Sequence, residues 1–86
     1  MKTILIVGPA GCGKTLHAEA LRQHFQCSRI MDQWRPGDGL MPGALILTSF
    51  QPGGSPLPYK SDTMDAYEFT HAMHLLNASI NKALLL

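Results

Sequence analysis

Three apolar segments of the chain have the composition of buried β-strands. Residues 3–7 are β-branched and aliphatic without alternation, which is typical of a strand covered on both faces of a parallel sheet. A shorter run over residues 29–31 ends at Asp32, and a third run covers residues 44–50. The pattern therefore predicts a small, mostly parallel sheet of about three strands.

Two further segments have the spacing of amphipathic helices. Between Lys14 and about Gln26, apolar residues recur three and four positions apart. The second segment runs from Asp62, a candidate N-cap, to about Leu85, with Asp65 and Glu68 near its positively polarised beginning. The order β-α-β-β-α predicts an α/β fold with two main helices in a three-layer arrangement.

Composition limits the classes of protein that remain. The 86 residues are predicted to form a single domain, residues 1–86, because so short a chain has no room for a second core. A net charge of +1 creates no field that attracts nucleic acid, and the apolar runs are far shorter than the roughly 18–20 residues that span a membrane. Cys12 and Cys27 are too few for a disulfide framework, which predicts a reduced, cytoplasmic protein.

One motif carries most of the chemistry. Its eight residues match G-x-x-x-x-G-K-[ST] at every fixed position, between a predicted strand and a predicted helix: Gly8, Pro9, Ala10, Gly11, Cys12, Gly13, Lys14 and Thr15. The glycines allow successive backbone N–H groups to converge on an anion, assisted by the positive end of the following helix. Lys14 is placed to reach β- and γ-phosphate oxygens, and the Thr15 hydroxyl to bind Mg²⁺. The motif therefore predicts a site for a nucleotide phosphate.

With this motif, residues 2–26 resemble the opening β-α unit of the P-loop NTPase superfamily. The loop is especially similar to that of AAA+ ATPases and of small P-loop kinases such as adenylate and shikimate kinases, whose sheets are larger. The opening, the second strand that ends in aspartate and the following tryptophan segment also resemble small phage-encoded or prophage-encoded ATP-binding proteins. The resemblance implies that residues 8–15 bind ATP or GTP with Mg²⁺.

The chain departs from the superfamily at the Walker B position. There a second strand usually ends in a carboxylate that holds the water shell of the magnesium ion, whereas here residues 45–47 lead into Thr48 and Ser49. Asp32 is the proposed substitute, since it resembles the acidic residues that face the phosphate-accepting substrate in shikimate-type kinases. The alternative is an aspartate that only initiates a turn. Lys14 and Asp32 are thus the candidate catalytic residues.

Three functions remain open at this point. The first is nucleotide binding with Mg²⁺ and at most slow hydrolysis, with ATP mildly favoured over GTP because the chain has no Asn-Lys-x-Asp run. The second is a small phosphotransferase in which Asp32 orients or deprotonates an acceptor hydroxyl. The third is a regulatory or inhibitory module that retains the loop and contacts another protein or a second copy of itself.

Overall fold

The structure, a computed structural model, describes residues 2–9, 11–35, 37–49 and 56–84, with side chains as far as residue 80. The elements of the described chain are β1 (Thr3–Val7), α1 (Ala18–His24), β2 (Arg29–Trp34), β3 (Ala44–Thr48), β4 (Tyr59–Lys60), β5 (Met64–Glu68) and α2 (Phe69–Leu84). The five strands form one sheet in the order β2-β3-β1-β5-β4. Neither helix in this part of the chain has the length and apolarity needed to cross a membrane.

The sheet is mixed in direction. β1 pairs in parallel with β3 and with β5, and β2 pairs in parallel with β3. The short β4 runs antiparallel to β5 at the edge. The α/β class is confirmed, but the sheet is larger than the sequence predicts and is mixed rather than the expected small, mostly parallel sheet.

The two strands at the centre are those that the uninterrupted apolar runs predict. β1 has the predicted bounds, and every residue of β3 is buried. Neighbours along β1 alternate between two apolar clusters, with Ile4 and Ile6 in one and Leu5 in the other. A strand that buries both of its faces needs apolar side chains at every position, which explains the missing alternation. The predicted third strand extends to Phe50, which lies outside the described residues.

Both helices pack on the same face of the sheet, which differs from the expected three layers. Ala18 and Leu21 of α1 share one buried cluster with Ala72 and Leu76 of α2. On the opposite face, the cluster includes no described residue of either helix. It is covered instead by partly buried side chains of strands and loops, among them Val7, Met31, Trp34, Leu57 and Met64. Within the described residues, the arrangement is therefore one helical layer against one sheet.

Three element boundaries differ from the sequence predictions. The segment expected to begin a helix at Asp62 forms β5, and α2 begins only at Phe69. Pairing with the free edge of β1 satisfies the backbone of β5, and alternate side chains then reach both clusters, Ala66 in one and Tyr67 in the other. β2 continues past Asp32 as far as Trp34, and α1 begins at Ala18 rather than at Lys14.

Candidate functional site

The glycine-rich loop, residues 8–15, connects the end of β1 to the turns that precede α1. Gly11 and Gly13 have φ angles of 80° and 103°, in the region that a side chain disfavours. The loop begins against the neighbouring strand, because the Gly8 N–H donates to the Thr48 carbonyl at 3.0 Å. Ala10, a predicted contact residue, lies outside the described residues.

The helix after this loop starts later than expected. Residues between the loop and Ala18 form turns, in which the His17 N–H donates to the Gly13 carbonyl at 3.1 Å and the Ala18 N–H to the Thr15 carbonyl at 3.3 Å. Any attraction of the loop for an anion therefore comes from its own N–H groups and from Lys14, not from the end of α1.

The Lys14 side chain folds back under the loop and is only 9% exposed. Its Nζ donates to the carbonyls of Gly8 at 2.6 Å and Pro9 at 2.9 Å, and lies 3.7 Å from Cys12 Sγ. These partners are two backbone carbonyls and a cysteine sulfur, and Lys14 forms no ion pair with any carboxylate among the described residues. The site thus contains a nearly buried cation without a carboxylate partner in the described chain.

Thr15 and Asp32 lie together at the carboxyl ends of the strands. The Thr15 hydroxyl donates to Asp32 Oδ2 at 2.7 Å, and Asp32 Oδ1 accepts from the Gln33 N–H at 2.8 Å. The pairing of β2 with β3 is irregular between Met31 and Trp34, and Gln33 has a φ of 56°. Bulges of this kind redirect a side chain without ending the strand. Here the irregularity includes Asp32, whose side chain accepts the hydrogen bond from Thr15.

The end of β3 supplies hydroxyl groups rather than a carboxylate. Thr48 is almost fully buried, and its hydroxyl donates to the Trp34 carbonyl at 2.7 Å. Ser49 follows as an exposed residue. The Thr48 hydroxyl therefore helps to hold β2 against β3, a structural role that the sequence does not indicate.

Two cavities border the glycine-rich loop at the carboxyl ends of the strands. The first has a volume of about 330 Å³, and its polar lining includes Lys14, Thr15, Asp32 and Thr48. The second has a volume of about 470 Å³ and lies toward β5 and the beginning of α2, where it is lined by Gly8, Cys12, Leu57, Glu68 and Phe69 among others. Ser49 contributes to both cavities.

Glu68 also lies at the carboxyl ends of the strands, and the sequence pattern predicts the wrong element for it. The pattern predicts it in the first turns of a helix, but it ends β5 and pairs in register with Val7, immediately before the loop. Asp65, Ala66 and Tyr67 are buried in succession between a partly buried Met64 and the exposed Glu68, so the segment lacks the alternation that would have indicated a strand.

Two other cationic residues, Lys60 and Arg35, are not among the described residues that line the first cavity. Lys60 is in β4 and places its Nζ 5.7 Å from the centre of the Tyr67 ring. Arg35 is exposed, and its backbone N–H donates to the side chain of Asp38 at 3.0 Å. Among the described residues that line the first cavity, Lys14 is thus the one with a cationic side chain.

Comparison with known proteins gives no independent indication of the family to which the chain belongs. No protein-family model, no curated protein and no solved structure matches the chain.

Proposed function

We propose that this protein binds a nucleoside triphosphate together with Mg²⁺ through the glycine-rich loop. The single observation that carries the proposal is the Lys14 ammonium group, nearly buried and without a carboxylate partner among the described residues. A buried charge is costly unless an opposite charge accompanies it. A phosphate group held by the loop N–H groups would provide that opposite charge.

The position of the cavity in the sheet supports a phosphate ligand. Ligands of open α/β sheets bind beyond the carboxyl ends of the strands, where connections leave neighbouring strands in opposite directions. From β1 the chain passes β3 to reach β2, whereas from β3 it passes β1 and β5 to reach β4 and then returns to β5, on the other side of β1. The first cavity lies beyond β1 and β3, with residues of both the loop and β3 in its lining.

The oxygen atoms of Thr15 and Asp32 fit a magnesium ion. They are hard oxygen donors 2.7 Å apart, and Mg²⁺ is commonly held by one or two protein oxygens plus the phosphates of its substrate. Asp32 would supply the negative charge that is missing after β3. When bound, the ion would neutralise charge on the β- and γ-phosphates.

The surroundings of Asp32 favour binding over rapid catalysis. Both of its carboxylate oxygens already accept hydrogen bonds, one from Thr15 and one from the Gln33 backbone. An aspartate held in this way is suited to a metal rather than to removing a proton from water or from an acceptor hydroxyl. We therefore propose at most slow hydrolysis, and no phosphotransferase role for Asp32.

Isothermal titration with Mg-ATP and Mg-GTP tests the proposal. We expect binding by the native chain and a loss of at least about tenfold in affinity for Lys14→Ala, because a charge-assisted contact to phosphate disappears. Lys60→Ala is the matched control, since it removes the same charge from β4. No binding of either nucleotide, or equal affinities for the native chain and Lys14→Ala, would contradict the proposal.

A further inference from the structure

The second cavity differs in chemistry from the first, although the two share the loop. It is the larger one, and its walls combine apolar and polar side chains: Val7, Leu57, Phe69, Ser49, Glu68 and Thr70. Gly8, Pro9 and Cys12 of the loop complete the lining. A ligand whose phosphates lie on the loop can therefore extend its remaining part into this cavity.

Among the described residues at the carboxyl ends of the strands, Glu68 is the carboxylate that has no partner. In the part of the chain that the structure describes, its side chain accepts no hydrogen bond and forms no ion pair. The other acidic groups near the sheet are engaged, Asp32 with Thr15 and Asp65 with Lys2. Glu68 is thus available to a ligand, and its register with Val7 fixes it directly beside the start of the loop.

The two cavities suit the two parts of a nucleotide. Lys14, Thr15 and Asp32 border the first cavity and provide the charges that phosphates and a metal ion require. The second cavity has an aromatic ring, Phe69, and aliphatic walls, which suit the faces of a planar heterocycle. Its carboxylate suits the edge of such a ring, because an ionised carboxylate only accepts hydrogen bonds.

We propose that the second cavity binds the base of the nucleotide and that Glu68 selects guanine over adenine. Guanine carries a ring N–H and an amino group side by side, so that its two donors can face the two carboxylate oxygens. Adenine carries one amino group beside a ring nitrogen that is an acceptor, and this lone pair repels a carboxylate. The inference rests on the proposed function and reverses the mild preference for ATP drawn from the sequence.

The test is a titration of the full chain with Mg-GTP and Mg-ATP for the native protein, Glu68→Gln and Asp62→Asn. The native chain is expected to bind GTP at least about tenfold more tightly than ATP, because hydrogen bonds to a charged group are among the stronger ones. Glu68→Gln should reduce this ratio to within about twofold, since an amide presents a donor to one of the guanine donors. Asp62→Asn removes the same charge just before the opposite end of β5 and should leave the ratio unchanged.

The outcomes separate this inference from the proposed function. Equal affinities for GTP and ATP in the native chain, or a GTP preference that persists in Glu68→Gln, would overturn base recognition by Glu68. If Lys14→Ala abolished that equal binding, the phosphate site would still stand. Failure of the native chain to bind either nucleotide would overturn both. A thermal melt of each variant establishes that it is folded before its affinity is compared.

Discussion

Replacing Gly8 with alanine places a methyl group at the tightest point of the glycine-rich loop. The new Cβ would lie 2.9 Å from Cys12 Sγ and 3.1 Å from the Phe69 Cβ. Since the φ angle of Gly8 lies outside the left-handed region, the expected cost comes from contact and not from backbone strain. The two neighbours differ in how far they can move, because the sulfur ends a flexible side chain whereas the Phe69 Cβ is fixed to the first residue of α2.

The expected magnitude follows from these two contacts. Overpacking of a well-filled site costs about 1–3 kcal/mol, and each 1 kcal/mol lowers the melting temperature of a chain of this size by about 4–8 °C. Rotation of the Cys12 side chain relieves the shorter contact, while the contact with Phe69 requires a shift of the loop or of α2. Gly8→Ala should therefore lose about 1–3 kcal/mol of unfolding free energy, and adding Cys12→Ala should restore part of it.

Urea denaturation of the native chain, both single variants and the double variant measures this effect. Gly39→Ala is the control, because no atom lies within 4 Å of the Cβ that the alanine would add and its φ lies outside the left-handed region. It should change the unfolding free energy by less than about 0.5 kcal/mol. A Gly8→Ala variant as stable as Gly39→Ala would refute the packing of Gly8 against Cys12 and α2. A double variant whose loss of unfolding free energy equals the sum of the two single losses would refute it as well.

Four further outcomes follow from the structure. Thr15→Val and Asp32→Ala should be coupled by about 1 kcal/mol in a double-mutant cycle of urea stability, and additive effects would contradict their hydrogen bond. A thiol reagent should modify the partly exposed Cys12 well before the buried Cys27, and equal rates would contradict that burial. Burial raises the pKa of the Cys27 thiol despite the opposing effect of Arg22, so the folded state retains the proton longer than the unfolded state does. The melting temperature should therefore fall as pH rises above the usual thiol value of 9.0, more steeply for the native chain than for Cys27→Ala, and equal slopes would contradict this assignment. Leu47→Ala should cost about 2–5 kcal/mol in urea denaturation, and a loss below about 1 kcal/mol would contradict the central burial of β3.

The sequence predicts well those strands that are buried on both faces of the sheet. β1 and β3 occupy the middle of the sheet, so burial alone determines their composition. β5 has two acidic residues among its five and depends on pairing with β1, about 60 positions earlier in the chain. Local pattern carries no record of such a distant partner, which is why this segment resembles the start of a helix in the sequence.

The residues of the candidate site also differ in how well the sequence predicts their positions. The spacing of the glycines, Lys14 and Thr15 is a local property and is evident from the sequence alone. The place of Asp32 after an apolar run predicts its approach to the phosphate site, but its geometry depends on an irregularity at Gln33, a non-glycine residue with positive φ. Glu68 comes to the site only through the pairing of β5 with β1. Residues brought together by irregular or distant backbone contacts are therefore the ones that sequence does not place.

The most direct test of the central claim is residue-resolved NMR of the backbone amides during titration with a Mg-nucleotide. Binding by the loop predicts that the largest shifts fall on the amides of Gly11, Gly13, Lys14, Thr15 and Asp32, because these residues border the first cavity. The same titration of Lys14→Ala should show these shifts greatly reduced. Absence of shifts in the native chain would contradict the claim that residues 8–15 bind a nucleotide phosphate. Shifts confined to the amino ends of the strands, around Thr3 and Met64, would contradict it as well.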